Sequence, residues 1–263
     1  MIASLLRIRL CTAVAAAALT GWLLCPGAPR TIALPLSLGT LLLAMAGTML
    51  NQVQERHSDA RMHRTRNRPL PTGLLQPSTV LITATIASGL GLVLLAACDK
   101  RSALAGIAAL ICYNGLYTPL KRQTALALLP GACCGSLAPV LGWLAGGGQL
   151  SDYRLILLSG LLLLWQLPHF WLFALRNKDD LQRAGLFPDL PLHPTGPLLG
   201  LIFLWTFALS VATLLLAALK LLPEWLAVLL CLAEWIGPLK HRRLLRKMET
   251  GRSAVAPATT LTL

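Results

Sequence analysis

The sequence predicts an all-α polytopic membrane protein with about eight transmembrane helices. Of its 263 residues 56% are hydrophobic and only 13% are charged, and the mean hydropathy is +0.67. Such a composition is too apolar for an ordinary soluble domain, and the apolar runs reach the roughly 20 residues that a membrane-spanning helix needs. Basic residues cluster in the short segments between these runs. The two features together favour a helical bundle that spans a bilayer.

Eight apolar runs, taken in order, predict the helices. Each is bounded by charged residues, Pro or Gly, which are typical of helix ends and loops. The predicted spans are residues 8–25, 32–50, 78–98, 102–118, 125–146, 154–175, 197–219 and 222–239.

The basic residues predict the orientation. With eight spans, 18 of the 23 Lys and Arg residues fall on one side of the membrane, so the positive-inside rule places that side and both termini in the cytoplasm. We expect the bacterial inner membrane. The net charge of +13 does not indicate a nucleic-acid partner, because there is no basic domain with interleaved aromatic residues. Topology signals and contact with anionic lipid explain the charge more simply.

The stretch that follows the second run carries the strongest chemical signal. Asn51, Glu55 and Asp59 are spaced by four residues, which puts their oxygens on one face of a helix, where they suit a hard divalent ion. Five arginines follow, and Pro69 and Pro71 then end the helix. Ligands for a metal beside donors for an anion indicate a metal-bound phosphate or diphosphate. The arginines are Arg56, Arg61, Arg64, Arg66 and Arg68.

Two later segments carry similar chemistry near the same side of the membrane. The sixth run ends in a segment with Lys178, Asp179 and Asp180, which are either solvated loop acids and a topology signal or further metal and anion ligands. The fourth run ends at Tyr117, Lys121 and Arg122, which either anchor the helix or bind an anion. His169 lies near the end of the sixth run, where a residue of the interfacial aromatic belt and a functional histidine are both reasonable interpretations.

Together these segments resemble the UbiA-type membrane prenyltransferases. The resemblance covers roughly residues 40–200, and it is closest to the branch that farnesylates protohaem IX. It rests on the Asn51 to Gly73 run with its RTRNRPLP sequence and on Tyr117-Thr118-Pro-Leu-Lys121-Arg122, Gly142-Trp143, Pro168-His169-Phe-Trp and Lys178-Asp179-Asp180 in the same order. A bundle around a cytoplasm-facing cavity is implied, usually of nine helices.

The resemblance also implies the chemistry and its participants. Mg²⁺ would assist transfer of a farnesyl group from farnesyl diphosphate to a vinyl group of protohaem IX, giving haem O for terminal oxidases. Contacts with haem A synthase or oxidase-assembly proteins stay open. His169 would contact the haem, at the iron or at a propionate. Asn51, Glu55, Asp59, Asp179 and Asp180 would hold the metal, and Arg64, Arg66, Arg68, Tyr117, Lys121, Arg122 and Lys178 would bind the diphosphate.

The sequence departs from that pattern in three places. Glu55 stands where the family usually has Asp, and Gln166-Leu167 stand where Thr-Pro is typical. No ninth apolar run follows the eighth, so we expect one transmembrane domain over residues 1–248 and a disordered tail over 249–263. Two other functions remain open: a prenyltransferase for an aromatic quinone precursor, and a transporter or binding protein in which the charged loops only set topology and capture anions.

Overall fold

The computed structural model describes residues 5–190 and 196–253, and they form helices and loops without a strand. This confirms the predicted all-α fold. The helices in the described residues are α1 (Ile8–Leu24), α2 (Ala33–Arg61), α3 (Pro77–Cys98), α4 (Lys100–Leu110), α5 (Leu128–Ala145), α6 (Tyr153–Arg176), α7 (Lys178–Ala184), α8 (Gly196–Ala218) and α9 (Glu224–Ser253).

Each of the eight predicted spans falls on a helix, and six helical segments in the described residues are long and apolar enough to cross a bilayer. The chain is therefore an integral membrane protein, while the number of eight crossings stays a prediction. Large apolar side chains cover the outer faces of α3 and α8, where they would meet lipid. The spanning segments are Arg30–Arg61, Pro77–Cys98, Lys100–Leu120, Ala125–Ala145, Tyr153–Arg176 and Pro197–Ala218.

Two groups of helices pack side by side. Helices α1 to α5 form one group, in which α1 contacts α2 and α5, and α6, α8 and α9 form the other, joined to the first where α6 packs on α5. Glycines allow the closest approach: a Cβ on Gly142 of α5 would collide with the Ala18 carbonyl oxygen, and one on Gly21 of α1 would collide with the Pro139 carbonyl oxygen. Small residues at such a crossing are what brings helices together in a membrane.

Helix α4 continues at Leu110 into a segment with a different hydrogen-bonding pattern. Residues Ile111–Tyr117 are π-helical and lead into one more α-helical turn, Thr118–Leu120. The backbone amide of Thr118 bonds the carbonyl of Tyr113, five residues earlier. The sequence predicts only that this helix ends near Pro119. Segments of π-helix are rare and are frequently found at functional sites.

Helices α2 and α9 both extend beyond their predicted apolar spans. Helix α2 continues past the span that ends at residue 50, as the four-residue spacing predicts, so Asn51, Glu55 and Asp59 lie on the same continuous helix as the apolar run. It ends at Arg61, before Pro69 and Pro71, where the sequence predicts the break. Helix α9 continues to Ser253, five residues beyond the predicted domain boundary at residue 248. The rest of the predicted tail, residues 254–263, lies outside the described residues.

Candidate active site

The last turns of α2 present three polar side chains to neighbouring elements. Asn51, Glu55 and Asp59 are only 1%, 5% and 1% exposed, as expected for residues spaced by four on one buried helix face. The Asn51 amide donates to the hydroxyl of Thr118, at 3.0 Å. Buried polar groups require partners, and each of these three has one. The predicted helical face is therefore present in the structure.

Glu55 faces Lys121, which follows the π-helical segment and the Thr118–Leu120 turn after α4. Its Oε1 lies 2.5 Å from Nζ of Lys121, and both side chains are 7% exposed. Burial lowers the pKa of Lys121, and the neighbouring Glu55 carboxylate opposes that shift. The ammonium also lies 4.6 Å from the centre of the Tyr117 ring, which stacks on Tyr113. The pair is thus a buried ion pair next to an aromatic surface, where removal of either charge is costly.

Asp59 faces the arginine-rich loop, residues 62–76, which follows α2. Its Oδ2 accepts a hydrogen bond from Nη1 of Arg68 at 2.7 Å, and its main-chain carbonyl accepts one from the buried Thr65 hydroxyl at 2.9 Å. These contacts fold the loop back over the end of α2. The Asp59 carboxylate, the last of the three polar groups on the buried face of α2, is therefore paired with Arg68 of this loop.

Asp180 of α7 connects this short helix to the loop that follows α2. Its carboxylate accepts hydrogen bonds from the backbone amides of His63, at 2.9 Å, and Arg64, at 3.1 Å, and from Arg183. Burial raises the pKa of Asp180, but these donors outweigh burial and hold the pKa below its usual value. The short helix α7 is thereby fixed to the arginine-rich loop.

The segment after α7 also contacts the end of α4. The backbone amide of Phe187 donates to the carbonyl of Lys121 at 2.7 Å, and the Phe187 side chain is 2% exposed. Residues 178–187 therefore bridge the arginine-rich loop and the lysine that pairs with Glu55. Segments far apart in the sequence converge here, as expected for one site.

The remaining predicted ligands lie around this centre. Asp179 is exposed in the first turn of α7, where Lys178 is half-buried. Arg66 and Arg122 are exposed, and the Arg122 guanidinium donates to the carbonyl of Gln54. The guanidinium carbon of Arg64 lies 5.2 Å from the centre of the Phe173 ring. The structure thus pairs Glu55 with Lys121 and Asp59 with Arg68 on the buried face, which also carries Asn51, and it places Tyr117 against Lys121. Asp180 is joined to this centre through the arginine-rich loop, whereas Asp179, Arg66 and Arg122 are exposed around it.

A metal ion would have to enter among groups that already have partners. Among the described residues no three His, Cys, Asp or Glu side chains converge as a ready-made metal site. The donors do suit a hard divalent ion, because an amide oxygen and two carboxylates lie on one buried face. Lys121 and Arg68 neutralise those carboxylates here. An incoming diphosphate would attract both cations and free the carboxylates for Mg²⁺, so the residues fit a metal that binds together with its anion.

Sequence reasoning missed two groups at this centre. Arg7, which precedes α1, lies with its Nη1 3.5 Å from the Tyr113 hydroxyl and close enough to Lys121 to contribute to lowering its pKa. In the sequence it is only one of the cytoplasmic topology charges. Thr118 accepts a hydrogen bond from Asn51, but in the sequence it is marked only as the neighbour of Tyr117. No local pattern reveals either contact, because each joins residues more than 60 positions apart.

An apolar cavity of about 200 Å³ begins beside the charged centre. Tyr113 lies at that end, and the cavity continues between α1, α2, α4 and α5 as far as Gln166 of α6. Its walls consist mainly of Leu, Ala and Gly, among them Leu43, Gly47, Gly106, Leu110, Gly131 and Leu141. A long apolar chain attached to a charged headgroup would match this arrangement.

A second cavity, of about 400 Å³, lies between α6, α8 and α9. His169 lines it and stacks on Trp165, with ring centres 4.6 Å apart and an interplanar angle of 20°. Arg64, Arg176 and Glu234 add charges to its walls. The predicted functional histidine thus lies at a cavity distinct from the apolar one.

Comparisons with known proteins agree with the sequence resemblance. Residues 10–258 match the model of the UbiA prenyltransferase family. The chain is 44% identical over 227 residues to the protoheme IX farnesyltransferase of Geobacter sulfurreducens, covering 85% of this chain and 83% of that protein. It is 42% identical over 239 residues to the protoheme IX farnesyltransferase of Oleidesulfovibrio alaskensis, covering 89% and 83%.

Solved structures share the fold at much lower identity. A UbiA homolog from Archaeoglobus fulgidus bound to GPP and Mg²⁺ superposes with a TM-score of 0.74 at 16% identity, covering 90% of this chain and 85% of that one. The apo structure of a UbiA homolog from Aeropyrum pernix K1 gives 0.71 at 19% identity, covering 89% and 91%. Family model, relatives and fold agree, and the chain belongs to the UbiA prenyltransferase family as a membrane-embedded prenyltransferase.

Proposed function

We propose that this prenyltransferase joins the farnesyl group of farnesyl diphosphate to a vinyl group of protohaem IX with the help of Mg²⁺, giving haem O. The observation that carries the proposal is the similarity to protoheme IX farnesyltransferases at 40–44% identity over most of both chains. The charged centre and its adjoining apolar cavity supply the chemistry that such a donor requires. The aromatic quinone-precursor acceptor and the transporter lack a comparable supporting observation.

The charged centre supports ionisation of an allylic diphosphate. The bond between C1 of the farnesyl group and the bridging oxygen breaks, and the diphosphate leaves with the electron pair. Bound Mg²⁺ would neutralise the charge that develops on the leaving group. Asn51, Glu55 and Asp59 would hold the metal, assisted by Asp179 and Asp180. Arg64, Arg66, Arg68, Tyr117, Lys121, Arg122 and Lys178 would donate to the diphosphate oxygens, and Arg7 joins them on the evidence of its position.

The apolar cavity would hold the farnesyl chain and keep water from C1 until the acceptor arrives. The vinyl π electrons then form the new bond to C1. The cation left on the porphyrin side chain takes up water and loses a proton, which gives the hydroxyl group of haem O. His169 would contact the haem at its iron or at a propionate.

The direct test is a reaction with defined substrates. Membranes that contain the chain are incubated with farnesyl diphosphate, Mg²⁺ and protohaem, and the extracted haems are analysed by mass. We expect a product heavier than protohaem by one farnesyl group and one hydroxyl group. In a parallel reaction that contains an aromatic quinone precursor, prenylation of that acceptor with none of protohaem would instead favour the quinone-precursor alternative.

Substitutions of Glu55 test the middle position of the buried face. Glu55→Asp should keep most of the activity, since the carboxylate remains and Asp is the usual family residue. Glu55→Gln should lose at least about tenfold, because the charge facing Lys121 is removed. Initial rates at matched protein levels decide it. Equal rates in all three proteins would remove Glu55 from the metal site.

Fusions of a reporter that is active only in the periplasm test the proposed orientation. A fusion after Gly147, in the loop between α5 and α6, should be active. Fusions after Gly185 and Leu263 should be inactive, because basic residues resist transfer across the membrane. Activity at Gly185 would reverse the orientation, and activity at Leu263 alone would overturn the even number of crossings.

A further inference from the structure

The apolar cavity has a definite length along the bundle axis. Near the charged centre it is lined by Gly131 of α5, which packs so closely on Tyr117 that a Cβ there would lie 2.9 Å from Cδ2 of the ring. The deepest lining residue on α5 is Leu141, ten residues further on, and the deepest on α2 is Thr40, eleven residues before Asn51. At about 1.5 Å per helical residue, both walls are roughly 15–16 Å long.

Packed side chains close the deep end of this cavity. Leu43 and Leu141 line it and are only 4% and 3% exposed. They belong to a buried apolar cluster that continues away from the charged centre to Leu36 and Leu95, both fully buried. Gly106 of α4 completes the closure, because a Cβ there would lie 2.8 Å from Cδ2 of Leu43. We call Leu43, Gly106 and Leu141 the floor of the cavity.

Two side walls are closed as well. Helices α1 and α5 touch at Ala18 and Gly142, at the depth of the floor, so no gap remains between them there. On the side of α6, the Gln166 amide fills the space beside Gly135 and donates to the carbonyl of Ala132 at 3.1 Å. A chain that enters from the charged centre therefore meets closed walls on these two sides and the floor ahead of it.

The length of the cavity matches three isoprene units. An extended isoprene unit advances by roughly 5 Å, since carbon–carbon bonds of about 1.5 Å link its chain atoms. Three units therefore fill the distance to the floor, and a fourth would have to enter the packed cluster beneath Leu43 and Leu141.

We propose that the floor selects the prenyl donor by length, admitting a farnesyl chain and excluding longer ones, with Leu43 and Leu141 as the residues that decide. The inference rests on the proposed function for the position of the diphosphate at the charged centre. It adds the residues that determine the length of the donor chain. Apolar burial alone favours longer chains, so discrimination against a fourth unit requires a steric stop of this kind.

Donor binding can be measured without an acceptor. Purified protein in neutral detergent with Mg²⁺ is titrated with the geranyl, farnesyl and geranylgeranyl thiolodiphosphates, in which sulfur replaces the bridging oxygen and slows ionisation. Affinity ratios are compared between variants in the same detergent, so partition of the ligands into micelles cancels. Leu141→Ala should raise the affinity for the geranylgeranyl analogue relative to the farnesyl analogue by at least about tenfold, because it opens the floor.

A substitution in the opposite direction should shorten the preferred chain. Ala44 lines the cavity one helical turn nearer the charged centre than Thr40, which is roughly 6 Å or about one isoprene unit. Ala44→Leu should therefore lower the affinity for the farnesyl analogue relative to the geranyl analogue by at least about tenfold. Leu155→Ala is the matched control for Leu141→Ala: it removes the same side chain at the same 3% exposure, lines neither cavity and should keep the wild-type ratios.

An unchanged ratio in either folded variant would overturn the inference, and so would an equal shift in Leu155→Ala, which would mark a general loosening of the bundle. Should Leu141→Ala not fold, Ala44→Leu carries the test, because it removes nothing from the core. Failure of the proposed function appears differently, as absence of farnesylated haem although the analogues still show the dependence on length. Transfer of farnesyl and geranylgeranyl groups to protohaem at equal rates would retain the function and exclude the floor as the selecting element.

Discussion

Replacing Asp59 with alanine should lower farnesyl transfer by at least about 100-fold while the protein remains in the membrane. Asp59 is 1% exposed, ends the buried polar face of α2 and holds Arg68 at 2.7 Å. The substitution removes a proposed metal ligand and also releases a proposed diphosphate donor from its position. Both effects act on the developing charge of the leaving group.

The measurement is the initial rate at matched membrane levels, with the melting temperature of the purified protein alongside. Asp99→Ala is a suitable control, because Asp99 also forms an ion pair with an arginine, Arg101, but caps α4 at the opposite end of the bundle. We expect that control to retain most of its rate. A rate near wild type in Asp59→Ala would exclude Asp59 from the site.

Asp180→Ala should also reduce turnover by about 100-fold or more. The carboxylate holds the backbone amides of His63 and Arg64, so its loss leaves two donors without their acceptor and detaches α7 from the arginine-rich loop. Asp180→Asn should fall between wild type and alanine, since one amide oxygen can replace only part of these bonds.

Two readouts separate the roles that Asp180 could have. If it mainly positions the loop, trypsin should cleave Asp180→Ala faster at Arg64 and Arg66. If it mainly holds metal, raised Mg²⁺ should restore part of the rate and cleavage should stay slow. Wild-type rate together with wild-type cleavage would show that Asp180 is dispensable for both.

Periodicity was sufficient to predict the helical fold and one face of the site. Apolar runs give the helices because length and hydropathy are local properties, and four-residue spacing places Asn51, Glu55 and Asp59 on the buried face where the structure has them. The predicted end of α2 was less accurate: the helix stops at Arg61, before Pro69 and Pro71, because Met62 is extended and the loop that follows folds back to bond Asp59.

The contacts that complete the site could not be predicted in this way. Asp180 meets His63 across 117 positions, and Lys121 reaches Glu55 from the end of another helix. Such pairs depend on how the helices pack, which composition and spacing do not encode. For the same reason Arg7 and Lys121 were both recognised as cations, yet only the second was assigned to the site.

The π-helical end of α4 determines which changes of chain length the site can tolerate. A π-helix bonds each residue to the one five positions earlier and turns the chain less per residue than the roughly 100° of an α-helix, so a change that made Ile111–Tyr117 α-helical at unchanged length would rotate the following turn relative to the rest of α4. Thr118 and Lys121 would then lose alignment with Asn51 and Glu55 while every side chain of the site remained present. We therefore expect a one-residue deletion that returns this segment to α-helical geometry to preserve the alignment, and a one-residue insertion to disturb it although no charged residue is lost.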